Sequence, residues 1–235
     1  MFSDVFMAIT PREMRHFLPK RTAYMACHFS PGGLGLSNIP YALPPDSLIL
    51  IDDSMPVQGH DPKAVIGQIN EIIRSFSVKA VLLDFQRAFS DESCEMVGSI
   101  AASCACPVAV TPPYAHIEGC DLFLPPAAVN VALPDHLMPW QGRGIYLEIA
   151  AERVLITVTE TGSKTHPDFQ DAPLPLADAR LHCHYNVSVF PEKAEFTLTR
   201  TPEDLAALTQ EAYALGVQGV VGLYQELQTY KNPLG

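Results

Sequence analysis

The sequence predicts an α/β fold, a distorted TIM-like (β/α) barrel with antiparallel hairpin units in its second half, on three observations. Short apolar runs separated by helical or loop segments repeat along the first half. The run Ala80-Val81-Leu82-Leu83 ends on the carboxylate of Asp84, and between Gly144 and Thr201 the rhythm changes to strand alternation with turn residues. A continuous apolar run belongs to a strand buried on both faces, as in a parallel sheet, and barrels built from such strands place their chemistry at the C-terminal strand ends.

The elements follow in order. Residues 24–29 read as a strand, and the loop Ser30-Pro31-Gly32-Gly33-Leu34-Gly35 after it has glycines that admit backbone conformations closed to other residues. Residues 47–51 form a second strand ending in Asp52-Asp53. Asp61 as N-cap and Pro62 at the first helical position open a helix through about residue 76, with Val65, Ile69, Ile72 and Ile73 on one face. Residues 80–85 are the third strand, and Ser90 caps a helix over 91–103 whose start is favoured by Asp91 and Glu92. Strands at 108–111, closed by Pro112-Pro113, and at 121–124 follow.

Residues 145–149 with 154–159, and 185–190 with 194–199, read as two hairpins, and residues 161–178 as a Pro-rich connection. Thr201 and Pro202 start a last helix, Gly216 ends it, and residues 217–224 form a final buried strand running into Gln225-Glu226.

At 235 residues, 48% hydrophobic and 17% charged, the chain can bury a large core, so one domain over residues 1–235 is expected, with residues 1–20 as an N-terminal extension. The formal net charge of -11 opposes capture of nucleic acid phosphates or anionic lipid, which leaves a small neutral or cationic ligand as the expected partner, with no nucleic acid and no membrane. No basic stretch followed by an apolar one opens the chain and no apolar run is long enough to span a bilayer, so a cytoplasmic protein is expected. Cys104-Ala-Cys106 lacks the two-residue spacer of common zinc or redox pairs, and the six cysteines are expected to be reduced thiols, with no metal and no cofactor.

If the strands close into a barrel, their C-terminal ends gather His28, Asp52, Asp53, Asp84, Gln86, Arg87, Tyr114, Tyr224 and Glu226, with His60 on the loop after the second strand. Asp84 and Asp53 are the candidate catalytic carboxylates and the others candidate ligand contacts. A metal set of His28, Asp53, His60 and Asp84 has suitable residue types but no compact spacing, and His182 with His184 would share one strand face.

Asp84-Phe85-Gln86 resembles the end of the signature D-G-x-D-x-D-x-E of family 18 glycoside hydrolases, the chitinase-like TIM barrels. The resemblance implies that Asp84 matches the motif's last Asp, which helps orient the acetamido group in substrate-assisted hydrolysis, and that Tyr224 stands for the family's sugar-stacking Trp. Lys79, Ala80 and Leu82 depart from the motif's first Asp, its Gly and its middle Asp, and Gln86 replaces the proton-donating Glu. An amide cannot protonate a leaving alkoxide, and losing a general acid costs on the order of 10²–10⁴ in rate. Segments such as Gly59-His60-Asp61-Pro62 also resemble small bacterial proteins, a likeness that implies no role.

The expected function is binding of a carbohydrate-like small ligand without chitinase-type hydrolysis. Two alternatives stay open: a hydrolase using the carboxylates of Asp52, Asp53, Asp84 and Glu226, and a protein-interaction module presenting an exposed apolar patch.

Overall fold

The structure, a computed structural model, describes residues 4–170 and 172–229. Its strands are β1 (Val5–Ile9), β2 (Thr22–Phe29), β3 (Leu36–Ser37), β4 (Leu48–Asp52), β5 (Ala80–Asp84), β6 (Val108–Val110), β7 (Asp121–Leu124), β8 (Ile145–Ile149), β9 (Arg153–Thr159), β10 (Gly162–Pro167), β11 (Leu176–Asp178), β12 (Cys183–Val189), β13 (Lys193–Thr199) and β14 (Gly219–Leu223). The helices are α1 (Pro11–Met14), α2 (Pro62–Phe76), α3 (Asp91–Ser103), α4 (Leu133–Leu137), α5 (Pro202–Ala214) and α6 (Tyr224–Thr229).

Eight parallel strands close into a barrel in the order β1, β2, β4, β5, β6, β7, β8, β14, with β3 added antiparallel to β2. Closure depends on β1, which pairs in parallel with both β2 and β14. The segment expected as an N-terminal extension, residues 1–20, therefore contributes the first barrel strand. Its partners lie at opposite ends of the chain, which a local reading of residues 5–9 does not reveal.

The period-two alternation of each strand divides the apolar side chains into two cores. Phe6, Leu50, Leu82, Phe123, Tyr146 and Val221 fill the barrel lumen. Their neighbours Ile51, Leu83, Leu122, Leu147 and Val220 pack outward with Val65 and Ile69 of α2, Val97 of α3 and Leu205 of α5. At the N-terminal mouth the Arg21 guanidinium and the Lys79 ammonium lie 5.4 and 5.3 Å from the centre of the Phe6 ring and cover the lumen there.

The helix starts follow the expected chemistry. Asp61 accepts from the Lys63 amide at 3.1 Å ahead of Pro62, Ser90 and Ser93 form a reciprocal capping box, and Thr201 does the same with Asp204. Among the described residues no helix is long and apolar enough to cross a membrane, and the six cysteines are free thiols.

The second half of the chain adds a separate antiparallel sheet, in the order β10-β9-β13-β12-β11, between β8 and α5. The hairpin expected over residues 185–199 is present as β12–β13. The other is not: β8 is a barrel strand between β7 and β14, whereas β9 pairs with β13 and β10. The stretch expected as a connection, residues 161–178, contains β10 and β11.

Arg200 ties this sheet to the barrel. It is 1% exposed, and its guanidinium donates to the carbonyls of Ala127 at 2.6 Å and Ala128 at 3.2 Å. His182 and His184 reach across to α5, with Glu211 at 2.7 Å and Asp204 at 2.8 Å, so each histidine serves a different carboxylate and the two do not form a shared ligand pair. Replacing Arg200 with Ala strands two carbonyls and opens a cavity; Arg200→Ala is expected to cost about 3 kcal/mol in urea denaturation. A loss below about 0.5 kcal/mol would show that the sheet docks without it.

Candidate functional site

The inward parity of the barrel strands determines which side chains reach the C-terminal rim. After Leu50 in the lumen comes Asp52, after Leu82 comes Asp84, and after Tyr146 comes Glu148. Asp52 and Asp84 are register partners on β4 and β5. A cleft of about 370 Å³ opens there, lined by Asp84, Gln86, Thr111 and Glu148 with the apolar surfaces of Pro112, Pro113, Phe123 and Pro125. Such a mixture of an apolar wall and a few convergent polar groups is what small-ligand sites share.

Asp84 and Gln86 are side by side, the Gln86 amide donating from Nε2 to Asp84 Oδ1 at 2.9 Å. Phe85, between them, points outward and packs edge-on against Phe29 and Tyr114 at 5.7 and 5.8 Å, which anchors the turn in the outer core. Burial pushes the Asp84 carboxyl above its ordinary value; the Gln86 hydrogen bond pulls it down, and the charges of Asp52 and Asp53 add to the rise.

Asp53 has a different role from the one expected. It is 5% exposed, and its Oδ1 and Oδ2 accept from the backbone amides of Gln86 at 2.8 Å and Arg87 at 3.0 Å. Both oxygens hold the turn after β5, so Asp53 is a positioning residue behind the cleft and not one of its walls. Arg87 completes the brace by donating from Nη1 to the Ser54 carbonyl at 2.7 Å.

The remaining expected residues are dispersed. His28, next to last on β2, sits beside Asp52, its Nδ1 at 3.1 Å from the Ala26 carbonyl oxygen, and Asp52 Oδ1 accepts from the Ser54 amide at 2.8 Å. His60 lies with its ring nitrogens 3.1 and 2.9 Å from the carbonyls of Val57 and Ser30, joining two loops, and it lines a separate groove with Glu92 and Glu95 of α3. Gly33 supports that join, with φ of +79° and no room for a Cβ beside the Gly59 carbonyl.

Tyr114 offers no stacking face to a ligand: it is 1% exposed, and its hydroxyl donates to Ser93 at 2.8 Å. Tyr224 stacks on Phe17 at 5.1 Å, and Glu226 Oε2 accepts from the Ala151 amide at 3.0 Å. Among the described residues no three His, Cys, Asp or Glu side chains are grouped as a metal site requires.

Sequence reasoning missed Glu148. Its strand, Ile145-Tyr146-Leu147-Glu148-Ile149, alternates as a half-exposed hairpin strand would, and only the barrel makes its polar face the lumen. Burial, then the charges of Asp84 and Glu226, push the Glu148 carboxyl up from 4.5 to about 7.

Two outcomes follow from this geometry. Asp53→Ala removes two charge-assisted bonds and should cost about 2–3 kcal/mol in chemical denaturation, while Asp53→Asn, which keeps one acceptor, loses less. For Glu148 the folded chain retains a proton that the unfolded chain gives up above its ordinary 4.5, so its contribution is full below that value and is lost as pH rises through about 7. Glu148→Gln should therefore raise stability over wild type at about pH 8, by on the order of 1–3 kcal/mol, and change little at about pH 4. Equal thermal shifts at both pH values would contradict it.

No protein-family model and no curated protein matches this sequence. Solved structures do match the fold. A double mutant of the GH18 chitinase from Cycas revoluta in complex with (GlcNAc)4 aligns over 97% of this chain and 97% of its own, at 9% identity and a TM-score of 0.59. The spore cortex-lytic enzyme SleL from Bacillus megaterium aligns over 99% of this chain and 74% of its own, at 8% identity and a TM-score of 0.55. The chitinase from Chromobacterium violaceum aligns over 98% of this chain and all of its own, that is 100%, at 10% identity and a TM-score of 0.52. The chain thus resembles family 18 glycoside hydrolases in fold: it is an α/β barrel of the chitinase-like kind.

Proposed function

We propose that this barrel binds a carbohydrate in the cleft at the ends of β5 and β8 and does not cleave it by chitinase-type chemistry. The observation that carries the proposal is the Gln86 amide, held at 2.9 Å from Asp84 in the cleft, where the resemblance calls for an acid. Gln86 and Asp84 offer a donor and acceptors for sugar hydroxyls, and Phe123 with Pro112, Pro113 and Pro125 offers apolar surface for the C–H face of a pyranose ring. The Cycas revoluta neighbour, in complex with (GlcNAc)4, supports the choice of ligand class. A formal net charge of -11 favours uncharged saccharides over polyanions as partners. A bacterial, cytoplasmic setting belongs to the same reading, and six free thiols fit it.

One observation favours a second reading, hydrolysis by carboxylates other than the motif's acid. Glu148 joins Asp84 in the cleft, and an acid poised near neutrality beside another carboxylate is what general acid catalysis uses. Of the carboxylates first considered for this role, Asp53 is committed to backbone amides and Glu226 to the Ala151 amide.

Calorimetry with (GlcNAc)3 and an assay with an aryl glycoside of N-acetylglucosamine separate these readings. The expected result is binding that weakens at least about tenfold in Asp84→Ala, with no turnover. Turnover that survives Gln86→Ala and disappears in Glu148→Gln would establish the second reading. No binding and no turnover would remove both.

A further inference from the structure

Of the rim carboxylates Asp52, Asp53, Asp84, Glu148 and Glu226, Glu148 is the one whose carboxyl accepts no hydrogen bond among the described residues. Asp84 accepts from Gln86, Asp52 from the Ser54 amide, Asp53 from two amides and Glu226 from the Ala151 amide. No hydrogen bond reaches the Glu148 carboxyl among the described residues, although it lines the cleft that a ligand would enter. The charged groups that bear on it are all acidic: Asp84 from β5 and Glu226 from α6, with Asp52 of β4 in register beside Asp84. From β7 and β14 it faces apolar neighbours, Phe123 and Val221, and among the described residues no Lys, Arg or His lines the cleft.

We infer that Glu148 meets the ligand as a neutral carboxylic acid, donating a hydrogen bond to an uncharged acceptor oxygen of the saccharide. The inference rests on the carbohydrate-binding reading and names the residue that makes the binding depend on pH. The physical reason is the cost of a further negative charge in a half-buried cleft that already holds Asp84. Protonated, Glu148 supplies a hydrogen-bond donor on the β8 side of the cleft, in addition to the Gln86 amide on the β5 side. The carboxyl's rise to about 7 agrees with this geometry. Ionised, it could not donate to an oxygen of the sugar that only accepts, such as an acetamide carbonyl.

The test is the pH dependence of (GlcNAc)3 binding to the full chain by calorimetry between about pH 5 and pH 9. The expected association constant is level in acid and falls about tenfold per pH unit well above pH 7, with proton uptake on binding near neutrality. Glu148→Gln keeps a neutral donor, so it should bind at about the wild-type acid-side strength and lose the pH dependence. Glu148→Ala should bind at least about tenfold more weakly at pH 5 and be equally flat.

A pH-independent wild type, tighter wild-type binding above pH 7, or an unchanged profile in Glu148→Gln would each overturn the inference while leaving carbohydrate binding intact. Absence of (GlcNAc)3 binding at every pH would overturn both. A ligand-free readout keeps the two apart: carboxyl-carbon NMR should show one Glu resonance, lost in Glu148→Gln, titrating near 7, and a midpoint near the ordinary 4.5 would sink the inference alone.

Discussion

Closure of the sheet through β1, paired on one side with β2 and on the other with β14, is the constraint on which the rest of the molecule depends. A closed barrel leaves no edge to satisfy, and it turns every second residue of eight strands into one shared interior. That interior is filled by Leu50, Leu82, Phe123, Tyr146 and their neighbours, so a ligand cannot enter it. Whatever polar group follows the last lumen residue on a strand is delivered to the rim. Asp52, Asp84 and Glu148 are there because their strands run one inward position beyond the apolar fill.

The same parity explains why adjacent carboxylates behave so differently. Asp52 and Asp53 are neighbours in sequence, yet the first faces the lumen side of the rim and the second is buried behind the turn, taken up by the amides of Gln86 and Arg87. On the far side of the rim, Glu148 shares its space with Asp84 and Glu226 and is driven towards its neutral form. Position relative to the pleat, more than residue type, distinguishes a structural acid from one exposed to ligand.

Much of this was legible from sequence because the signals were local. The helix starts at Asp61-Pro62, Ser90 and Thr201-Pro202, the buried strand ending at Asp84, and the hairpin β12–β13 are set by residues within a few positions of one another. The failures were non-local. β1 finds its partners at residues 22–24 and 220–223, and β8 carries the alternation of an exposed strand while its neighbours β7 and β14 bury both faces. Misplacing β8 is what hid Glu148. Tyr114 was misjudged for another reason: a tyrosine beside prolines at a strand end reads as a ligand platform, but here its hydroxyl finds Ser93 inside the core.

The turn after β5 is held largely through atoms other than the side chain at position 86. Asp53 grips the two amides, Arg87 returns a bond to the Ser54 carbonyl, and Phe85 is set into the outer core. Position 86 is thus presented to the cleft by a mounting made mostly of backbone amides and neighbouring side chains. The side chain at position 86 can therefore change with little effect on how the turn is held, so the character of the cleft and the stability of the barrel are largely separate properties.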